Sequence, residues 1–200
     1  MESNLFTTEL ASYSTTGGGS EGRRTNISLA VQSCNGVILL PGETFSYNDV
    51  LGERTADKGY QPAGAYSDGE VVEQLGGGIC QVSSTLFAAV LHTDLEILTR
   101  ANHSMPVSYL PMGMDATVSW GGPEFKFKNN FAYPIKISAS YSGGTITFKI
   151  LGAASDKKKI EVEIKKAGEM SAETYRKYYD ENGNVTSTKR VARSNYKPHS

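Results

Sequence analysis

The sequence predicts an α+β fold: a mainly antiparallel β-sheet with a cysteine-bearing central helix and a C-terminal β-hairpin extension. Glycine supplies 21 of the 200 residues and separates short segments rich in Val, Ile, Thr, Tyr and Phe, which is typical of strands joined by turns. From Cys80 to His92, apolar residues recur every three or four positions without Gly or Pro, and this spacing predicts a helix. Many short strands with one dominant helix indicate the α+β class.

The N-terminal part predicts a loop, a helix and two strands. Ser12–Gly22 is rich in Ser, Thr and Gly and is interpreted as a flexible loop. Apolar positions at helical spacing predict a helix over Asn26–Ser33 that stops at Asn35-Gly36. Val37–Leu40 and Thr44–Tyr47 are expected to form strands on either side of a Pro-Gly turn.

After the Cys80 helix, the sequence predicts strands. The core strands are expected at Leu95–Leu98, Pro106–Leu110, Ala116–Trp120, Phe125–Lys128, Ile135–Tyr141 and Thr145–Leu151. A Lys/Glu-rich alternation over Lys159–Lys165 then precedes a hairpin of Tyr175–Tyr179 and Val185–Ala192, with Asn182-Gly183 as its turn. We therefore divide the chain into an N-terminal segment and flexible loop (1–22), a core (23–152) and a β-rich extension (153–200).

Composition excludes several classes of protein. Twenty Lys and Arg against 21 Asp and Glu give a net charge of −1, so the basic surface of a nucleic-acid-binding protein is missing and nucleic acid is not an expected partner. Apolar runs such as Val37–Leu40 are far short of the roughly 18 residues of a membrane span. We expect no membrane span in this chain.

Cysteine usage is sparse. The two cysteines, Cys34 and Cys80, are too few for a disulfide framework, and whether they pair with each other stays open. Cys34 lies on the apolar face of the first helix and is interpreted as a buried, structural residue. The sequence has no Cys-x-x-Cys or His-x-x-x-His cluster, so we expect no metal site and no cofactor.

Cys80 is the candidate nucleophile. It follows Gly76–Gly78 and begins the predicted helix, where the helix dipole and free N–H groups favour a thiolate. The same N–H groups, with Gln81 beside them, can hold an oxyanion. On spacing alone, a packing cysteine behind a glycine loop is an equal alternative. The residues expected to bind the oxyanion and the substrate are Gly77, Gly78, Gln81, Ser83 and Ser84.

His103 is the candidate base. The chain has three histidines; His92 ends the helix that Cys80 begins, about 18 Å away at 1.5 Å per residue, and His199 lies in the tail. His103 stands in a loop between predicted strands, where it can reach a site. The candidates for the residue that orients its imidazole are Asp115, Asn102 and Asp49.

Several motifs together resemble the VanW domain family, named after vancomycin-resistance gene clusters. The string Gly-Gly-Gly-Ile-Cys-Gln at 76–81 is the most specific of them. The resemblance runs from about Phe6 to Leu151, and the matching segments are 24–27, 41–48, 59–60, 76–86, 103–109 and 115–118.

The resemblance implies a cysteine-dependent L,D-transpeptidase of Gram-positive cell walls. Such an enzyme forms 3-3 cross-links in peptidoglycan through a thioester, with tetrapeptide stems as donor and acceptor. It implies that Cys80 is the nucleophile and His103 its base, with Asp115 the first choice as third member. It also implies a location outside the cytoplasm, in the cell wall or anchored to the membrane. A non-catalytic peptidoglycan-binding module, an L,D-carboxypeptidase and a cysteine peptidase acting on stem peptides are the alternatives.

Overall fold

A computed structural model describes residues 5–67 and 70–198. Over those residues, three α-helices accompany twelve strands, and every strand pair is antiparallel, which confirms the mainly antiparallel α+β class. The helices are α1 (Glu21–Cys34), α2 (Tyr47–Leu51) and α3 (Ile79–Leu91). The strands are β1 (Thr8–Thr16), β2 (Ile38–Leu39), β3 (Thr44–Ser46), β4 (Pro62–Ser67), β5 (Glu70–Leu75), β6 (Glu96–Thr99), β7 (Lys126–Lys128), β8 (Ile135–Ser142), β9 (Thr145–Gly152), β10 (Lys159–Gly168), β11 (Ser171–Tyr179) and β12 (Val185–Asn195).

The strands of the described residues form four sheets. The largest has the order β1-β9-β8-β2, a second has the order β3-β7-β6, and β4 pairs only with β5 as a hairpin. The C-terminal strands form a sheet of their own in the order β10-β11-β12. In the described part of the chain, no helix is both long enough and apolar enough to cross a bilayer.

Helix α3 is the most buried element of the fold. All of its residues except Cys80 are buried, and it packs against α1, β1 and β9. Phe87 meets Phe125 edge to face, with ring centroids 5.5 Å apart. Because each large apolar side chain contributes about 1.5–3 kcal/mol on burial, this helix anchors the core, and only its N-terminal end is open to solvent.

The prediction of a loop over Ser12–Gly22 holds only for Gly17–Ser20 and is wrong for the residues on either side. β1 occupies Thr8–Thr16 and pairs with β9, and α1 begins at Glu21, five residues before the predicted start at Asn26. β1 buries Leu10 and Thr15 while its other Ser and Thr side chains mostly face solvent. A strand buried on one face with a Ser/Thr-rich opposite face has the composition of a linker, and this misled the prediction.

The predicted strands Pro106–Leu110 and Ala116–Trp120 are also wrong, since neither segment is a strand in the structure. Their apolar side chains are largely buried, which produces a strand-like run of residues. At the start of Ala116–Trp120, the backbone instead bonds to side chains of α3: the Ser83 and Ser84 hydroxyls donate to the Ala116 carbonyl, at 2.6 and 3.1 Å. The Ala116 N–H in turn donates to Ser84.

The C-terminal sheet is attached to the core by buried polar contacts. Arg176 on β11 is 4% exposed and donates to the carbonyls of Val90, Leu91 and Leu95 at 2.8–2.9 Å. Two of these carbonyls belong to the last turn of α3, where a cation is favoured by the helix dipole. The guanidinium therefore caps the end of α3 opposite Cys80.

Candidate active site

A cleft of about 1170 Å³ opens over the N-terminal end of α3. It lies between the β4–β5 hairpin, the start of α1 and the irregular segments that follow β6. Its lining includes Arg23, Glu53, Arg54, Leu75, Gly76, Gly77, Gly78, Cys80, Gln81, Asn102, His103, Tyr109, Thr117, Trp120 and Asn195.

The glycine loop before α3 is built for close backbone contact. A Cβ on Gly77 would stand 2.3 Å from the Ala63 carbonyl oxygen on β4, so no other residue fits there. Gly78 is the N-cap of α3 with a φ of 105°, in the left-handed region that favours glycine. The Asn26 amide donates to the Gly77 carbonyl at 2.9 Å, and the Tyr47 hydroxyl donates to the Ile79 carbonyl at 2.9 Å. These bonds fix where α3 begins.

Cys80 is the second residue of α3, and its thiol faces the cleft. The Val118 N–H donates to Sγ at 3.5 Å, and the Thr117 hydroxyl lies 3.7 Å from Sγ. Burial opposes ionisation of the thiol, but the hydrogen bond and charge of His103, with these two groups, lower the pKa of Cys80 below its usual 9.0. The environment therefore stabilises a thiolate.

His103 is buried between Cys80 and Asp115. Its Nδ1 lies 2.7 Å from Asp115 Oδ2, and its backbone N–H donates to the same oxygen at 2.7 Å. Since Asp115 occupies Nδ1, Nε2 is the ring nitrogen that remains for another partner. Burial would lower the pKa of His103, but the bonds to Asp115 and Cys80 raise it to about 9. The interaction between the two residues thus favours the charged form of each, because it lowers the pKa of Cys80 and raises that of His103.

Asp115 is fully buried and holds the imidazole in place. Arg100 Nη2 lies 3.1 Å from Oδ1, and the Tyr196 hydroxyl donates to Oδ1 at 2.5 Å. Burial opposes its ionisation, but His103, Arg100 and Tyr196 together lower the pKa of Asp115. Of the three candidates for the orienting residue, Asp115 is the one that contacts the His103 ring.

The other two candidates lie elsewhere. Asn102 lines the cleft, but its amide donates to the carbonyls of His103 and Asn195, at 2.8 and 2.7 Å. Asp49 is exposed on α2. His92 closes the far end of α3, where its Nδ1 lies 2.7 Å from the Ala88 carbonyl oxygen. His199 lies outside the described residues.

Only some of the residues predicted to bind the oxyanion and the substrate lie at the cleft. Gly77, Gly78 and Gln81 line the cleft, whereas Ser83 and Ser84 are fully buried on the Ala116 carbonyl and lie outside the lining. The backbone N–H of Gly77 donates to Gln74, and that of Gln81 donates to Gly78.

Sequence reasoning missed the groups that surround Asp115. Tyr196 and Ser194 come from the C-terminal sheet and its end: the Tyr196 hydroxyl accepts from the Gly113 N–H at 2.7 Å, and Ser194 accepts from Arg100 at 2.7 Å. Tyr196 is 81 residues away from Asp115, and no local spacing links them. The one available signal was that a buried carboxylate needs several donors.

Both cysteines are free. Cys34 is fully inaccessible, and burial raises the pKa of its thiol, in keeping with the structural role expected for it. Among residues 5–67 and 70–198, no three His, Cys, Asp or Glu side chains gather as metal ligands.

The comparisons with known proteins identify the family. The family model described as VanW like protein matches residues 22–151, so the chain belongs to the VanW family. The uncharacterized protein YoaR of Bacillus subtilis (strain 168) is 46% identical over 144 residues, which cover 72% of this chain and 48% of that protein. Vancomycin B-type resistance protein VanW of Enterococcus faecalis (strain ATCC 700802 / V583) is 34% identical over 135 residues, covering 63% and 49%. The chain thus spans about half the length of these curated relatives. No solved structure matches it.

Proposed function

We propose that the protein is a peptidoglycan L,D-transpeptidase that forms 3-3 cross-links through a thioester on Cys80. The observation that carries the proposal is that Cys80 and His103 line one cleft while Asp115 Oδ2 lies 2.7 Å from His103 Nδ1; His103 also lowers the pKa of the Cys80 thiol. A cysteine activated by a histidine that a buried carboxylate orients is the arrangement of covalent acyl transfer. Membership of the VanW family supports the choice of peptidoglycan stem peptides as substrates.

In the first half-reaction, the Cys80 thiolate attacks the carbonyl at the L-centre of diaminopimelate in a donor tetrapeptide. A C–S bond forms, and the carbonyl becomes a tetrahedral oxyanion beside the start of α3. The His103 imidazolium then gives its proton to the amide nitrogen, the C–N bond breaks, and D-Ala leaves as the amine. The acyl group remains on Cys80 as a thioester.

In the second half-reaction, the side-chain amine of a neighbouring stem attacks the thioester. Neutral His103 takes the proton from this amine, the C–S bond breaks, and the Cys80 thiolate is restored. The product is an amide between the carbonyl at the L-centre of the donor diaminopimelate and the side-chain amine of the neighbouring stem. This amide is the 3-3 cross-link. Water in place of the amine would release the acid, which is L,D-carboxypeptidase action.

The proposal extends to location and organisation. Peptidoglycan stems lie outside the cytoplasm, in the cell wall, and that is where we place the protein; the name of the Enterococcus faecalis relative supports this. We also propose residues 23–152 as the catalytic core, which the family match at 22–151 supports, and residues 153–200 as its extension.

Mass spectrometry of the protein mixed with disaccharide-tetrapeptide tests the proposal. We expect wild type to form a Cys80 adduct with loss of D-Ala, followed by a 3-3 dimer, and Cys80→Ala to form neither. Cys34→Ala is the matched control: it loses on the order of 1 kcal/mol of stability and keeps activity. A 3-3 dimer made by Cys80→Ala would exclude the mechanism. If wild type forms no adduct and no product, the binding-module hypothesis replaces it.

A further inference from the structure

A second polar network reaches the cleft beside Cys80 and has no part in the mechanism above. Thr85, Thr15 and Gln81 are each 4% exposed or less. The Thr15 and Thr85 hydroxyls lie 2.8 Å apart, and Gln81 Nε2 donates to Thr15 at 3.0 Å. Gln81 Oε1 accepts from Arg23 Nη2 at 2.6 Å. The network therefore ends on a guanidinium that lines the cleft.

The contacts of Arg23 leave its charge uncompensated. Since Gln81 donates through Nε2 to Thr15, its Oε1 is the atom that faces Arg23, and this partner is a neutral amide. Over the described ranges, no carboxylate forms an ion pair with Arg23. Glu53 is the one carboxylate among the described residues that line the cleft. A planar guanidinium that bonds an amide on one side can still donate hydrogen bonds to a carboxylate from its other edge.

Arg23 lies close to the reacting centre. Its Nη1 is 3.4 Å from the position that a Cβ on Gly78 would take, and Gly78 is two residues before Cys80. Tyr109, which also lines the cleft, is influenced by both residues: burial raises the pKa of its phenol, Cys80 raises it further, and Arg23 lowers it. The guanidinium and the thiol therefore line the same cleft.

We propose that Arg23 binds the terminal carboxylate of the peptide whose amide bond Cys80 cleaves. The inference rests on the proposed function and adds a rule of substrate selection to it. In the donor, the carboxylate of the leaving residue is separated from the scissile nitrogen only by one Cα. A cation that lines the same cleft as the nucleophile can therefore recognise a chain end. The site then acts on the last peptide bond of a stem and discriminates against stems that continue past it.

Binding to a protein without its nucleophile tests this directly. Calorimetric titration of Cys80→Ala would compare a tetrapeptide that ends in D-Ala with the same peptide as its C-terminal amide. Because a charge-assisted hydrogen bond is worth about 1.5–3 kcal/mol, we expect the free acid to bind about 10- to 100-fold more tightly. In Cys80→Ala/Arg23→Gln, the acid and the amide should bind equally.

Two further variants sharpen the test. Arg24→Gln is the matched control, because Arg24 is exposed on the same turn and donates to the Gly19 carbonyl; it should keep the full preference for the acid. Gln81→Glu leaves Arg23 in place but pairs it with an internal carboxylate, so the preference should disappear.

The outcomes are separable from those of the proposed function. Equal binding of acid and amide by Cys80→Ala, binding of neither, or a preference that survives Arg23→Gln would each overturn the role of Arg23. If wild type forms no thioester while the preference for the acid still depends on Arg23, the proposed transpeptidase activity is overturned. The cleft is then a binding site for carboxylates.

Discussion

The pKa shifts of Cys80 and His103 predict how the proposed acyl transfer depends on pH. The pKa of Cys80 lies below 9.0 and that of His103 is raised to about 9. Transfer needs the thiolate as nucleophile and the imidazolium as acid. The rate should therefore rise as Cys80 loses its proton below pH 9 and fall as pH rises through about 9. A pH profile of dimer formation checks this.

Alkylation by iodoacetamide separates the two groups, because it requires only the thiolate. In a Cys34→Ala background, Cys80 should react with a midpoint below 9.0. His103→Gln removes the imidazolium, so burial then dominates and the midpoint should move upward. A midpoint that does not respond to His103→Gln would show that the two residues do not share a proton-transfer pair.

Tyr196→Phe should slow the proposed acyl transfer without unfolding the protein. The hydroxyl is one of the groups that hold the buried Asp115 carboxylate, while Arg100 and His103 remain. We expect kcat to fall by roughly 3- to 10-fold, the worth of one such hydrogen bond, with KM unchanged. The alkaline limb should move to higher pH, because Asp115 without this donor holds the His103 proton more tightly.

Tyr175→Phe is the control for that variant. Tyr175 lies on β11 of the same sheet, and its hydroxyl donates to Glu173, away from Asp115. It should leave kcat and the pH profile unchanged. If Tyr196→Phe changes thermal stability alone, Tyr196 has no positioning role.

Residue types predicted part of the site. A cysteine after three glycines at a helix start, and a loop histidine, could be chosen from local sequence because the helix dipole and loop exposure are local properties. For the residue that orients His103, local sequence left three candidates, Asp115 among them. The choice between them depends on a contact between segments that only the fold brings together. The Arg100 and Tyr196 contacts depend on how distant segments pack, which spacing does not encode.

At the scale of the elements, the β4–β5 hairpin packs directly against the backbone of the glycine loop at Gly76–Gly78. A Cβ on Gly77 would stand 2.3 Å from the Ala63 carbonyl oxygen, so Gly77→Ala must push β4 away from the start of α3. We expect a loss of about 1–3 kcal/mol in the free energy of unfolding, as for other overpacked sites, and a loss of most activity. Urea denaturation with activity measurements checks both.

Gly18→Ala provides the comparison. A Cβ on Gly18 would meet nothing within 4 Å, so stability should change by less than about 0.5 kcal/mol. Equal stability of the two variants would show that the Gly77 contact is relaxed in solution.

The elements also show where sequence patterns succeed. The spacing over Cys80–His92 places α3 within one residue of its observed bounds, because its apolar residues recur at helical spacing with no Gly or Pro between them. The pattern fails for β1, whose single buried face is short and interrupted by Ser and Thr, and for Ala116–Trp120, where side chains of α3 replace a partner strand.

At the scale of the molecule, Arg176 joins the C-terminal sheet to the core. Arg176→Met replaces the guanidinium by an apolar, unbranched side chain and leaves the carbonyls of Val90, Leu91 and Leu95 without their donor. We expect a loss of about 2–4 kcal/mol in the free energy of unfolding. Arg190→Met, on β12 with an exposed bond to Glu173, should cost less than about 1 kcal/mol. Denaturant titration that finds equal losses would contradict the capping role.

The hydrogen bond between Tyr196 and Asp115 can form only after the ribosome has added the 81 residues that separate them. Synthesis runs from the N-terminus, and at about 5–20 residues per second the 81 residues between them take about 4–16 s to add. Cys80, His103 and Asp115 therefore exist for seconds before the tyrosine that completes their surroundings. Any reactivity that depends on the contact between Tyr196 and Asp115 can therefore arise only after the ribosome has passed Tyr196.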